Sequence, residues 1–213
     1  MARRAVKNVM RDWPAGRLAD GSANFSDDMS SCRNVPTSRP VDQSASLNHY
    51  THLALSLGAV NALAVTPDDI VFDGRTLLKC MFGCADWGKG CTCPSRPNFP
   101  SLAELETLLR KYKTVVIIHA HDKAIAQKAS YAVEREAFLD GDALAFSMSD
   151  CGLCAQCAGQ SNEPCRNVAM ARPAFHSVGI DVFATVKKLG LPLKALREKN
   201  EEQNWYSAVW LNT

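Results

Sequence analysis

The stretch Cys151-Gly-Leu-Cys154-Ala-Gln-Cys157, followed by a fourth thiol at Cys165, predicts a metal site that the rest of the chain is organised around. Three cysteines at this spacing can reach three iron atoms of a cubane cluster, but they crowd around one tetrahedral zinc ion. The same spacing opens the cysteine run of bacterial ferredoxins, where the fourth cysteine follows after about three residues. The stretch therefore favours an iron–sulfur site over zinc, and unliganded thiols or disulfides would require a chance gathering of cysteines.

A second set of thiols lies about seventy residues earlier in the chain, at Cys80, Cys84, Cys91 and Cys93. Glycines at 83, 88 and 90 lie among them, and glycine lets backbone N–H groups turn towards cluster sulfurs. Zinc remains an alternative here, with Cys80/Cys84 and Cys91/Cys93 as two pairs. A radical S-adenosylmethionine motif is excluded, because no third cysteine follows Cys84 after two intervening residues.

With these residues in place, the chain resembles the predicted metal-binding family catalogued as domain of unknown function 2284, found mainly in anaerobes. The resemblance spans roughly residues 47 to 192 and rests on Lys79-Cys80, Gly83-Cys84, Trp87-Gly88, Cys93-Pro94, the Cys151/Cys154/Cys157 triple, Cys165-Arg166, Arg172-Pro173 and Gly179-Ile180-Asp181-Val182. Trp87, Ser95 and Cys91 depart from the family pattern. The resemblance implies an iron–sulfur or other metal-binding role without a defined reaction, and it does not support Cys91 as a ligand.

Composition limits the domain organisation and the class of partner. The 213 residues carry a net charge of +2 and are 46% hydrophobic, which suits one globular domain and does not indicate nucleic-acid binding. The serine-rich start predicts a disordered extension over residues 1–45, with Cys32 inside it, before a metal-binding domain over residues 46–213. No secretory signal or membrane span is apparent, so we expect a cytosolic protein in which cysteines bind metal instead of forming disulfides.

Hydrophobic periodicity predicts helices alternating with strands. The predicted class is α/β, with α+β as the alternative: a single domain with a mixed sheet, flanked by helices and with the two cysteine-rich loops at one end. We expect helices over 47–57, 102–109, 123–139, 182–189 and 194–202, and strands over 59–65, 76–79, 114–120 and 143–147. Residues 205–211 are expected to form a closing strand or a packed tail. Ser101 with Glu104, Asp122 and Asp181 are the expected helix caps.

Several other residues carry weaker signals. His119 and His121 alternate at a strand end and could share a metal, but histidines satisfied by hydrogen bonds are the preferred interpretation. His49 and His52 are interpreted as ordinary helix residues. Arg166 and Arg172 could offset thiolate charge or bind an anion, or they could be surface residues.

Two function classes follow. The first is a redox or electron-transfer protein that holds one or two iron–sulfur clusters of the 4Fe-4S type and exchanges electrons with a redox partner protein. The second is an enzyme in which a cluster held by three cysteines presents an open iron to a small-molecule substrate, and a structural zinc module is third. Ligand exchange between the two cysteine sets is expected through Cys93 and Cys165. Because the resemblance does not support Cys91 as a ligand, we expect Cys91→Ser to retain full iron.

Overall fold

The structure, a computed structural model, describes residues 43–198 and 200–213. Cys32 and residues 1–42 of the predicted disordered extension lie outside these residues. The last three residues of that predicted extension, 43–45, are helical. Within them, the strands are β1 (Asn61–Val65), β2 (Thr114–Ala120), β3 (Phe146–Met148) and β4 (Trp205–Leu211). The helices are α1 (Gln43–Ser56), α2 (Thr76–Gly83), α3 (Leu102–Leu109), α4 (Lys123–Leu139) and α5 (Val182–Lys188), with 3-10 turns at Pro67–Asp69, Ala158–Ser161 and Phe175–Val178.

The four strands form one sheet in the order β1-β2-β4-β3. All three pairings are antiparallel, for example Val116 with Val209 between β2 and β4. The predicted fold class is therefore confirmed, and the α+β alternative describes it best. The described strands contain no parallel pair, so the expectation of a mixed sheet was wrong in that respect.

Both faces of the sheet are buried, which explains the β-branched run of β2. Val116 and Ile118 face a core formed with α1 and α4, around Tyr50 and Val133. Val115 and Ile117, at the alternate positions, face a second core on the opposite face of the sheet. This core includes Leu109, Val178, Ile180, Val186 and Trp210. Successive side chains of a strand point to opposite faces, so a strand covered on both sides is apolar throughout.

The predicted caps are confirmed. Ser101 and Glu104 form a capping box at α3, the Asp122 side chain accepts the N–H groups of residues 124 and 125, and the Asp181 side chain accepts that of residue 184. A cap satisfies N–H groups that have no partner inside the helix. For that reason, these three helices begin at the predicted residues.

Two predicted elements were wrong. Residues 76–79 belong to helix α2 instead of a hairpin strand, because Asp73 starts a helical turn: its side chain accepts the Arg75 N–H at 2.9 Å and its carbonyl the Thr76 N–H at 3.1 Å. The described residues between 194 and 202 contain no helix; the Glu201 carboxylate instead accepts the Arg197 N–H at 2.7 Å and binds Lys194. Strand β3 also begins later than predicted, at Phe146.

No helix in the described ranges combines the length and apolarity needed to cross a bilayer.

Candidate metal centre

The thiols of both cysteine segments line a single cavity of about 340 Å³. All eight described cysteines are free of disulfides; Cys80 is buried, Cys84 is exposed and the others are half-buried. The cysteines lining the cavity are Cys80, Cys84, Cys91, Cys93, Cys151, Cys154, Cys157 and Cys165. The fold therefore brings together segments that are about seventy residues apart in the chain.

Three of these thiols form a set that we name group A: Cys80, Cys84 and Cys93. Helix α2 buries Cys80 and ends immediately before Cys84. Burial raises the pKa of the Cys80 thiol, as do the nearby thiolates of Cys84 and Cys93 and the carboxylate of Asp150. The sulfur of Cys93 accepts the Gly88 N–H at 3.4 Å and lies 3.0 Å from the Ser95 hydroxyl.

Four thiols form a second set, group B: Cys91, Cys154, Cys157 and Cys165. Asn167 joins two of them, because its side-chain Nδ2 donates to the Cys154 sulfur at 3.0 Å and its backbone N–H donates to the Cys165 sulfur at 3.4 Å. Hydrogen bonds of this kind orient sulfur ligands in metal sites. Asn167 thus connects two thiols of the second segment.

Cys91 enters group B from the first segment. The backbone N–H of Cys91 donates to the Cys157 sulfur and, with the Gly159 N–H, the Cys91 thiol and the Arg96 guanidinium, lowers the pKa of Cys157 although burial opposes it. The pKa of Cys91 is correspondingly raised, by burial first and then by its bond to Cys157 and the charge of Cys165. Of the two expected points of exchange, Cys93 lies with thiols of its own segment, whereas Cys165 lies near Cys91 of the first segment.

Close backbone packing holds the two segments against each other. Arg96 donates from Nε to the Gly90 carbonyl and from Nη2 to the Gly159 carbonyl, both at 3.0 Å. A Cβ atom on Gly159 would overlap the Arg96 guanidinium and the Lys89 carbonyl, and would lie 2.9 Å from the Cys91 nitrogen. Only glycine permits this approach.

Cys151 lines the cavity, and none of the hydrogen bonds in the described part of the chain joins its thiol to either group. It follows Asp150, whose carboxylate acts on Cys80, and it precedes Gly152, whose N–H donates to Gln127 Oε1 of α4 at 3.0 Å. Lys123 and His176 also line the cavity.

The residues present fit a metal group held by thiolates. The donor set is eight cysteine sulfurs, several of which accept N–H bonds, and sulfur is the ligand that iron–sulfur clusters and zinc share. Among residues 43–198 and 200–213, no three Cys, His, Asp or Glu side chains converge on a point that would suit a single metal ion. The thiols are spread around the wall of the cavity instead.

Comparison with known families agrees with this donor set. The model of the predicted metal-binding protein family, domain of unknown function 2284, matches residues 64–211. The chain belongs to this family. Neither the curated proteins nor the solved structures contain a significant match to the chain. Membership in the family supports metal binding, and it does not specify which metal the protein binds.

The remaining candidates lie outside the cavity or have other partners. His119 is buried, stacks on Tyr206 and donates from Nε2 to Asn204 at 2.7 Å, which confirms the preferred interpretation of this residue. His121 contacts the Gln203 carbonyl at 3.1 Å. His49, interpreted as an ordinary helix residue, lies on α1 with its Nε2 3.3 Å from Glu136.

The two arginines differ from each other. Arg166 lines the cavity and pairs with Glu163 at 2.9 Å while remaining exposed. Arg172 is largely buried and pairs with Glu134, so its charge is already compensated and it is not a surface residue. Of the two, Arg166 is placed where it can act on thiolate charge, and it lies near Cys154.

Sequence reasoning did not identify Arg96, Asn167 or Gly159. Asn167 stands two residues after Cys165, so its proximity could have suggested a role. Arg96 and Gly159 carry no local signal, because their importance comes from a contact between segments that are distant in the chain.

Proposed function

We propose that this protein binds iron–sulfur clusters, of the 4Fe-4S type, and serves as an electron carrier in anaerobic-type metabolism. The observation that carries the proposal is the gathering of eight thiols from two segments around one cavity of about 340 Å³. Such a cluster, once bound, accepts and donates single electrons at a potential that hydrogen bonds to its sulfurs adjust. The N–H groups of Gly88 and Asn167 are the donors available for that adjustment.

The spacing of the cysteine triple supports a cluster over zinc. Cys151, Cys154 and Cys157 crowd around one tetrahedral ion, but each can reach a separate iron atom of a cluster. Unpaired thiols also suit a reducing compartment, the cytosol, where a redox partner protein would meet this one.

A second candidate function is an enzyme with an open iron, and Cys151 is the observation that favours it. In group A, Cys84 and Cys93 both act on Cys80, and Cys151 is the remaining cavity thiol of the described residues outside group B. If Cys151 is not a ligand, group A holds its cluster through three cysteines. An iron with a free coordination position can act as a Lewis acid on a small substrate, and Lys123 and His176 on the cavity wall would then contact that substrate.

The metal identity is tested by purifying the full chain without oxygen and measuring iron, acid-labile sulfide and zinc per chain. We expect sulfide and iron in about equal amounts, with little zinc. Stoichiometric zinc without sulfide would contradict the iron–sulfur proposal and support the zinc module.

Cys151→Ser separates the two candidate functions. An electron carrier with both clusters fully ligated is expected to lose about half of its iron in this variant, because one of four anchors is removed. An enzyme with an open iron at group A is expected to keep all of it. Cys32→Ser, which changes a thiol outside the predicted site, is the control for the effect of a serine substitution.

A further inference from the structure

We propose that Cys91 is a ligand of the group B metal, although it lies on the first segment, and that Arg96 is the residue that positions it there. The inference rests on the proposed metal-binding function and assigns the thiols of that site. It reverses the expectation drawn from the family pattern, which does not support Cys91. Three features of the contact between the segments support this role of Cys91 and Arg96.

The first feature is the immediate surroundings of Cys91. Its backbone nitrogen lies 2.9 Å from the point where a Cβ atom of Gly159, two residues after Cys157, would stand, and Cys157 and Cys165 are close enough for their charges to act on its thiol. The Cys91 sulfur also lies 3.9 Å from the carbonyl of Glu163, on the second segment. Every described partner of this thiol therefore belongs to the second segment.

The second feature is the way Arg96 bridges the segments. One guanidinium donates to the Gly90 carbonyl, directly before Cys91, and to the Gly159 carbonyl, two residues after Cys157. The planar fork of arginine sets the separation of these two carbonyls, and lysine cannot reproduce it because its ammonium is a single point donor. Arg96 thereby fixes the distance between Cys91 and Cys157.

The third feature is the charge of Arg96. In the described part of the chain it forms no ion pair with a carboxylate, and its bonds go to neutral carbonyls. Its positive charge is therefore available to offset thiolates that hold a metal. With Cys91, group B has four thiols, which is the number that one fully ligated cluster requires.

The test compares Cys91→Ser, Arg96→Met and Arg96→Lys in the full chain, purified without oxygen, by iron and sulfide content and by the Mössbauer spectrum. We expect Cys91→Ser and Arg96→Met each to lose about half of the iron and the spectral component of one cluster. Arg96→Lys keeps the charge without the fork, so we expect it to keep more iron than Arg96→Met but with an altered reduction potential. Arg75→Met, at an exposed arginine away from the cavity, is the matched control.

The outcomes separate this inference from the proposed function. Full iron in Cys91→Ser overturns the ligand assignment, and wild-type iron and potential in both Arg96 variants overturn the positioning role. Zinc without sulfide in the wild-type protein contradicts the iron–sulfur proposal alone; the assignment then stands if Cys91→Ser loses about half of the zinc. Far-UV circular dichroism identifies a variant that fails to fold, in which case Cys91→Ser and Arg96→Lys, the milder changes, decide the result.

Discussion

At Gly159 the two cysteine segments approach each other closely, and the lack of a side chain there permits the approach. In Gly159→Ala, the new methyl group would collide with backbone atoms of Lys89 and Cys91. We expect a loss of about 1–3 kcal/mol in the free energy of unfolding, since overpacking forces the backbone to shift, together with a loss of group B metal.

Chemical denaturation and iron analysis of Gly159→Ala check this expectation. Gly74→Ala is the matched control, because a Cβ atom at Gly74 would meet nothing within 4 Å. Equal stability and equal iron in the two variants would show that the segments can move apart without cost.

At the scale of elements, a buried ion pair connects α4 and β3 to the chain that follows the second cysteine segment. Glu134 of α4 pairs with Arg172 and accepts the Ser147 N–H of β3 at 2.8 Å. The Arg172 guanidinium also stacks near Tyr131 and Phe146, at 5.5 and 5.6 Å from the ring centroids. The pair anchors the end of the second segment to the sheet.

Arg172→Met is expected to destabilise the protein by roughly 3 kcal/mol, because it leaves the Glu134 carboxylate buried without its partner. Adding Glu134→Gln removes that charge, so the double variant is expected to recover part of the loss. Equilibrium unfolding in denaturant measures both effects. Arg75→Met, which breaks an exposed pair with Asp73, should change stability little, and a similar loss there would contradict the argument.

At the scale of the whole molecule, stability should fall as the solution becomes acidic. Burial lowers the pKa of His119, and the charge of His121 adds to the effect, while the Asn204 hydrogen bond and Glu202 oppose it. In the unfolded chain the histidine pKa is about 6.5. Below that pH the unfolded chain binds a proton that the folded protein does not, so stability is lost as pH falls through the folded-state pKa.

The free energy of unfolding, measured at about pH 7.5 and about pH 5.5, tests this linkage. His119→Gln should lose less stability between the two values than the wild-type protein, whereas His52→Gln, at an exposed position on α1, should lose as much. A His119→Gln variant that keeps the full pH dependence would assign the effect to other groups.

The whole-molecule scale also includes the N-terminal residues. A chain that begins at Gln43, where α1 starts, is expected to keep its metal content, because the family match covers residues 64–211 and every cavity cysteine lies after that point. Iron analysis of the shortened and full chains compares them directly. Loss of iron on shortening would mean that residues 1–42 take part in the site.

The sequence by itself determined the features that depend on neighbours in the chain. The caps at Ser101, Asp122 and Asp181 and the strand 114–120 were predicted correctly, because capping and strand burial leave a signature within a few residues. Membership in the metal-binding family was predicted from a resemblance carried by short motifs of neighbouring residues, such as Gly83-Cys84 and Cys165-Arg166, and the family match confirms it. The helical residues 76–79 were missed although Leu77, Leu78 and Lys79 are good helix formers, since Asp73-Gly74 resembled a hairpin turn.

Only the tertiary structure decided how the two segments combine. The contact of Cys91 with Cys157, the bridge made by Arg96 and the pair of Arg172 with Glu134 each join residues separated by 38 or more positions. Such contacts leave no periodic or spacing signal, because they depend on the order of strands in the sheet and on which backbones the sheet brings together. For that reason, the close approach at Gly159 can be found only in the tertiary structure. It places Cys91 among the thiols of group B.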